Sequence, residues 1–370
     1  MNERIKPIVM PKWGLSMSEG KVTGWLKKPG ARIAVGDEIV EVETDKIAGV
    51  VEAGDAGQLR RILGEPNTVY PVKALLGVVA DEDVPDDEID AFVAGYVTPA
   101  EDEDGGEEAG PRYEFAETPA GRIRYARKGD GAETVILIHG FGGDLDNWLF
   151  NIDALAGKAT VYALDLPGHG QSDKAVKTPD LGGLSQALVG FMDAVGIANA
   201  HLVGHSMGGA IAIRTALDHP DRVRSLTLIG SAGLGEEIDG DYVAGFAAAN
   251  SRRDLKPLLE RLFEDPGLVS RQLVDDVLKY KRLDGVEAAL AAISGSVFPN
   301  GRQAEVLSAS LKDGPSTLVI WGAGDRIIPA AHAGTLGPAA KAKVIEGAGH
   351  MVQMEKANRV NELILAHIAG

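Results

Sequence analysis

No cysteine occurs in the 370 residues. Disulfides, thiolate metal sites and a cysteine nucleophile are therefore excluded, and no metal site is expected. Any thiol chemistry must arrive on a cofactor or substrate. A cysteine-free chain suits a reducing cytoplasm, which is the expected location. Runs of eighteen apolar residues are also missing, so no segment is expected to span a membrane. The opening MNERIKPIVM has no apolar stretch leading to a small-residue cleavage site, and no secretory signal is expected. Basic residues are absent from 81–110, where thirteen Asp and Glu fall. Removing those thirteen from the formal net charge of -17 leaves about -4 for everything else. Acidity is thus a property of one segment, and nucleic-acid binding is not expected there.

That segment divides the chain. Gly and Pro punctuate it and its like charges repel, so residues 84–111 read as an acidic flexible linker, with VPDDEIDAFV able to form at most a short helix. The parts on either side, 1–83 and 112–370, are expected to fold as separate domains.

The first part repeats itself at an offset of 37: Gly20 aligns with Gly57, Val22 with Leu59, Trp25-Leu26 with Ile62-Leu63, Val35 with Val72 and Val42 with Val79. Short β-prone runs between Gly, Pro and Asn turns predict a small all-β unit of two similar halves. Where the halves meet, EVETDKIAGVVE (41–52) interrupts alternating valines with Asp45-Lys46. The spacing of Val40, Val42 and Ile47 puts Lys46 on an outward-facing hairpin. A group carrier needs such exposure.

Here the residues carry a resemblance. MPKWGLSMSEGKVTGWLKKPGARIAVGDEIVEVETDKI is similar to the lipoyl domains of 2-oxo-acid-type dehydrogenase complexes, whose Asp-Lys hairpin bears lipoate in amide linkage. Biotin carriers share the fold but flank their lysine with Met, so Asp45 and Ile47 favour lipoyl. The resemblance implies Lys46 as the attachment site of a covalent lipoate.

The second part alternates apolar runs with helical patterns. TVILIHG, ATVYALDLPGHGQSD, AHLVGHSMGGAIAIRTAL, SLTLIG, STLVIWGAGD and AKVIEGAGH give a series of strands rich in Val, Ile and Leu without alternation. Such strands are buried on both faces, hence a mostly parallel sheet wrapped by helices. YEFAETPAGRIRYAR precedes them as an antiparallel hairpin at the sheet edge. Residues 233–312, helical in pattern, interrupt the series as an inserted cap, and a final helix is expected over about 354–367.

GHSMG (204–208) satisfies G-x-S-x-G between an apolar strand and a helix, the setting in which a serine hydroxyl stands exposed above a sheet. A hydroxyl needs a base to become nucleophilic. His350 in GAGH, after the last strand, is the candidate base, and Asp325 in WGAGDRIIP is the candidate acid that orients it. The order Ser206, Asp325, His350 is that of α/β-hydrolases. The backbone amides of Phe141 and Met207 are the candidate oxyanion hole. His139 and His169 read as loop-bracing residues. His205 reads as pointing away from the nucleophile, and His201, His219, His332 and His367 have no catalytic context. Asp165 and Asp173 follow earlier strands and compete poorly with Asp325.

From residue 112 the chain resembles α/β-hydrolases with a helical cap. The joint arrangement, lipoyl domain then acidic tether then this fold, is similar to the acyltransferase component of bacterial acetoin dehydrogenase complexes. What this implies is transfer of acetyl from S-acetyldihydrolipoyl-lysine to coenzyme A. The implied partners are a thiamine-diphosphate-dependent component (E1) and a dihydrolipoyl dehydrogenase component (E3), and homo-oligomerisation is left open. The chain departs from ordinary acyltransferase components in lacking a His-x-x-x-Asp-Gly string and a small subunit-binding domain. Two rival readings follow: a serine esterase or thioesterase fused to a lipoyl domain, or a lipoyl carrier whose hydrolase fold is a scaffold.

Overall fold

The computed structural model describes residues 4–12, 17–44, 48–99, 113–311 and 313–370. They form two compact units that part between Gly110 and Pro111.

The first unit contains eight short strands: β1 (Ile5–Val9), β2 (Glu19–Trp25), β3 (Arg32–Ile33), β4 (Glu38–Glu43), β5 (Ala48–Glu52), β6 (Gly57–Ile62), β7 (Thr68–Pro71) and β8 (Leu75–Ala80). They make two four-stranded sheets, ordered β1-β8-β6-β3 and β5-β4-β2-β7. Exchanging β5 for β1, β4 for β8, β2 for β6 and β7 for β3 turns one order into the other. The repeat at offset 37 is therefore the sequence trace of two equivalent sheets. Met10, Val22, Val40, Val42, Leu59 and Leu76 fill the space between them, all with almost no exposure. Antiparallel pairing of β4 with β5 runs up to Glu43 opposite Ala48, so residues 44–47 join the two strands. Asp45, Lys46 and Ile47 lie outside the described residues.

The linker assignment needs correction at its start. Asp86–Gly95 form helix α1, and its Ile89, with Val84, is buried against Ile5, Val78 and Ala80 of the first unit. Arg60 and Arg61 bind Asp86, and Arg61 also binds Asp90. The Tyr96 hydroxyl donates to the Lys73 carbonyl at 2.7 Å. Acidic composition suggested solvation, but here two basic residues of β6 face the acids, and the apolar stripe of Ile89, Phe92 and Val93 outweighs the repulsion. Residues 100–111 of the expected linker lie outside the described residues, as does residue 112.

The second unit is an eight-stranded sheet in the order β9-β10-β12-β11-β13-β14-β15-β16. β9 (Tyr113–Thr118) and β10 (Gly121–Lys128) are the antiparallel edge hairpin, and β10 pairs antiparallel with β12 (Thr160–Leu164). From β12 onward, β11 (Thr134–Ile138), β13 (Ala200–His205), β14 (Val223–Ile229), β15 (Ser316–Gly322) and β16 (Lys341–Ile345) are parallel. β11 to β15 are buried on both faces, as their continuous apolar runs require. β16 is different: it is the far edge, largely exposed, with Lys341 and Lys343 on it. Charged edge strands resist pairing with a second chain. Helices α2 (Ile152–Ala156), α3 (Leu181–Ala194) and α4 (Met207–Asp218) follow β11, β12 and β13. Between β14 and β15 come α5 (Gly240–Ala248), α6 (Arg252–Glu260), α7 (Arg271–Lys281) and α8 (Val286–Val297), in the span read as a cap. The last helix is split at Lys356 into α9 (Val352–Glu355) and α10 (Ala357–Ile368).

Candidate active site

Four loops that follow parallel strands meet at one edge of this sheet, the place where such sheets bind ligands. β13 ends in the turn that carries the candidate nucleophile, Ser206. Ser206 has φ 53° and ψ -121°, a conformation that costs a non-glycine residue roughly 1–3 kcal/mol. Its surroundings impose it. The Ser206 amide donates to the Ile229 carbonyl at 2.9 Å, and its own carbonyl accepts from Gly209 and Ala232. The glycines of the motif are sterically compelled. A β-carbon on Gly204 would strike the Gly208 carbonyl, and one on Gly208 would strike the carbonyls of Ile138 and His139. The sharp reversal thus lets α4 start directly beneath the serine.

Asp325 follows β15 and His350 follows β16. The two are joined: His350 Nδ1 donates to Asp325 Oδ2 at 2.8 Å, and both side chains are shielded from solvent. Asp325 Oδ1 accepts from the amides of Ile327 and Ile328 at 2.8 and 3.0 Å. The carboxylate is therefore saturated and fixed, and it holds the proton on Nδ1, leaving Nε2 as the basic nitrogen. Gly230, at the exit of β14, passes directly beside this pair: a β-carbon there would lie 3.2 Å from His350 Nδ1 and 3.4 Å from Asp325 Oδ2. Ser206 Oγ makes no hydrogen bond to His350 in this state. Such contacts are often long in free enzymes and close with substrate bound.

The candidate oxyanion amides, Phe141 and Met207, lie on the turn after β11 and on the first residue of α4. Neither N–H is donated within the protein among the described residues. Gly140 lets the two loops approach: a β-carbon there would lie 2.9 Å from Ser206 Cβ and 3.2 Å from His205 Nδ1. Two buried histidines brace the Phe141 turn. His139 Nδ1 donates to the Gly140 carbonyl and its Nε2 accepts from Leu166. His169 Nε2 accepts from Gly142, and Nδ1 donates to Pro167. Burial pulls His139 down to about 4 and His169 to about 3, so both stay neutral. From the cap, Phe246 and Phe298 pack edge-on against Phe141.

Asp165, the weaker rival to Asp325, is fully committed elsewhere. It binds Arg124 at 2.6 Å, both side chains being buried, and accepts from the amides of Leu145 and Gln171. Asp173 accepts from the Arg122 amide. His201 bridges Ser225 and Glu133, His332 meets Glu237, and His367 bonds the Leu226 carbonyl, structural contacts all. His205 differs from its sequence reading. It packs against the His350 ring and bonds that residue's carbonyl, so it belongs to the site. The turn after β13 is expected from sequence to send it away from Ser206, and on a strand buried throughout no polar side marks where the ring goes.

Comparison with known proteins agrees with both units. A family model described as alpha/beta hydrolase fold matches residues 133–357, and one described as biotin-requiring enzyme matches residues 6–76. The chain is 55% identical over 367 residues to the dihydrolipoyllysine-residue acetyltransferase component of the acetoin cleaving system of Cupriavidus necator, covering 99% of this chain and 98% of that one. It is 48% identical to the protein of the same description from Pseudomonas putida, over 99% of both. Among solved structures, a meta-cleavage product hydrolase from Pseudomonas fluorescens superposes with a TM-score of 0.64 at 28% identity, over 69% of this chain and 97% of that one.

Proposed function

This chain belongs to the family of dihydrolipoyllysine-residue acetyltransferase components of acetoin cleaving systems, and we propose that Ser206, His350 and Asp325 carry its acetyl transfer to coenzyme A. Lys46 is the proposed attachment point of lipoate. The match of residues 6–76 to a carrier family supports it. So does the four-residue connection between β4 and β5, which suits a lysine held clear of a sheet. When attached, lipoate supplies a thiol that carries acetyl as a thioester.

The steps assigned to this chain's residues are these. Ser206 Oγ attacks the thioester carbonyl while His350 Nε2 takes its proton. Developing negative charge on the carbonyl oxygen is met by the Phe141 and Met207 amides. Each such donor is typically worth about 3–4 kcal/mol in the transition state. As the C–S bond breaks, His350 would return the proton to the leaving sulfur, leaving acetyl on Ser206. His350 then removes the proton of the coenzyme A thiol, whose sulfur attacks the acetyl-serine and frees the hydroxyl. Asp325 holds the imidazole in one tautomer and offsets the charge it gains. The cap residues Phe246 and Phe298, packed on the oxyanion turn, exclude water that would otherwise release acetate. Residues 97–111, what remains of the expected linker after α1, are the proposed tether between the units. The proposed partners are the thiamine-diphosphate-dependent and dihydrolipoyl dehydrogenase components of the same system.

The observation carrying this reading is the fixed His350–Asp325 pair beside a serine held at positive φ, with two unshared amides on adjoining loops. Rapid-quench mass spectrometry of the acetylated protein should trap acetyl on Ser206, and Ser206→Ala should abolish transfer. Full transfer by Ser206→Ala would refute the covalent route. A hydrolytic reading has one point in its favour, since the similar solved structure is a hydrolase by name. Acetate rather than acetyl-coenzyme A as the main product would select it.

A further inference from the structure

His205 is the last residue of β13 and immediately precedes Ser206. Its ring is buried and lies 4.7 Å, centroid to centroid, from the ring of His350. His205 Nε2 is 3.0 Å from the main-chain carbonyl oxygen of His350. A carbonyl oxygen only accepts, so the proton must be on Nε2. Nδ1 is then a lone pair, and it is buried without a hydrogen-bond partner. Burial, with His350 close by, pushes the His205 imidazole well below its ordinary range, so the ring stays a neutral, single-donor group.

The turn that bears His350 is anchored on three sides. The Met351 amide donates to the Leu262 carbonyl, the Gly349 amide to Glu355, and the Ala348 carbonyl accepts from Gly324. Those bonds tie the turn to the cap, to α9 and to the Asp325 loop. Among the described residues, the bond from His205 is the one hydrogen bond joining this turn to the strand that ends in the nucleophile. β16, which delivers the turn, is an exposed edge strand and offers little restraint of its own.

We propose that His205 is a positioning residue: its Nε2–H donation to the His350 carbonyl sets the base at its working distance from Ser206. This rests on the reading of Ser206 and His350 as nucleophile and base. Binding the backbone, rather than the ring, leaves the imidazole free to gain and lose its proton while its attachment point stays still. The donor's neutrality matters too, because a cation in contact with His350 would oppose its protonation in the transition state.

The test uses the full-length lipoylated chain with His205→Gln and His205→Phe. Gln places an amide N–H near the Nε2 position, whereas Phe keeps the ring volume and loses the donor. Displacing a base by a fraction of an ångström should lower kcat about 10- to 100-fold in the Phe variant, with KM nearly unchanged and Gln restoring most of the loss. In histidine-labelled protein, the low-field proton shared by His350 and Asp325 should broaden or shift in Phe and persist in Gln. If Phe does not fold, His205→Asn, too short to reach the carbonyl, replaces it. Wild-type kcat with an unmoved His350 resonance in the donor-less variant overturns the proposal, as does Gln as impaired as Phe. The two readings can fail separately. Normal transfer by Ser206→Ala would defeat the nucleophile assignment, and the His350 resonance would then decide the positioning role alone.

Discussion

At the scale of single residues, the site depends on hydrogen bonds whose direction is forced. Asp325 accepts three of them and has no spare oxygen, so it can hold His350 in only one tautomer. Asp325→Asn keeps the shape but presents an N–H to the ring, and the wrong nitrogen becomes the base. We expect kcat to fall roughly 10⁴-fold with KM little changed, by analogy of geometry with other triads. Steady-state acetyl-coenzyme A formation measures it. A fall of only a few-fold would mean that the pair is structural. Gly208 gives a different residue-scale test. Gly208→Ala must push β-carbon into the carbonyls of Ile138 and His139, backbone atoms that cannot turn aside. Overpacking of this kind costs about 1–3 kcal/mol or more. A melting temperature equal to wild type would contradict the tightness of the turn.

These residues also mark what could be read from the chain alone. Ser206, Asp325 and His350 stand out in the sequence because each sits at a strand exit in a glycine-containing turn, in a recognisable order. The Asp325–His350 bond confirms that two of them meet. His205 was not legible. Its partner is a main-chain carbonyl 145 residues away in sequence, and carbonyls leave no residue-type signature. The bracing of the Phe141 turn by His139 and His169 was legible only as a role, since the Leu166 and Gly142 amides they accept from are equally silent.

Among elements, α1 is where composition misled. Asp and Glu dominate residues 81–90, and a sum of charges gives a solvated tether. Position along a helix was the missing information: Ile89, Phe92 and Val93 fall on one face, and the acids flank it within reach of Arg60 and Arg61. The ion pairs are exposed on the acidic side and contribute little individually. Burial of Ile89 carries the docking. Ile89→Ala should therefore destabilise the first unit by about 2–4 kcal/mol, and Asp90→Asn by under about 1 kcal/mol. Thermal unfolding of the carrier unit distinguishes them, and the reverse ranking would show that charge rather than the apolar face docks the helix. In the second unit the comparable element contact is Asp165 with Arg124. One carboxylate there ties β10 to the turns after β11 and β12. Asp165→Ala strands a buried guanidinium and should cost about 3–5 kcal/mol.

For the whole molecule, buried titratable groups set how the catalytic unit responds to acid. His139 and His169 are held at about 4 and 3, His205 far below its usual 6.5, and His367 is lowered as well, all by burial first. In the unfolded chain each takes up a proton near 6.5, so below that pH the unfolded state binds more protons and stability falls as pH drops. Asp144 works in the opposite sense. Burial, with Asp146 and Asp165 nearby, pushes it up to about 7, so it stays protonated when folded and ionises when unfolded. Glu355, also raised by burial, adds to that side. His139, His169 and His205 against Asp144 leave the unfolded state binding about two more protons than the folded one across this range, while His367 and Glu355 act in opposite senses. Each proton is worth about 1.4 kcal/mol per pH unit. The window from about pH 6.5 to 5 isolates this balance, because lowered carboxylates such as Asp37 titrate only below 3.8. Urea midpoints of the catalytic unit should therefore decline through that window. His139→Asn, which stays neutral in both states, should flatten the slope by close to one proton. A wild-type midpoint constant from pH 7.5 to 5, or a His139→Asn slope equal to wild type, would show that these imidazoles are hydrated. The dry, neutral bracing of the Phe141 turn would then have to be abandoned.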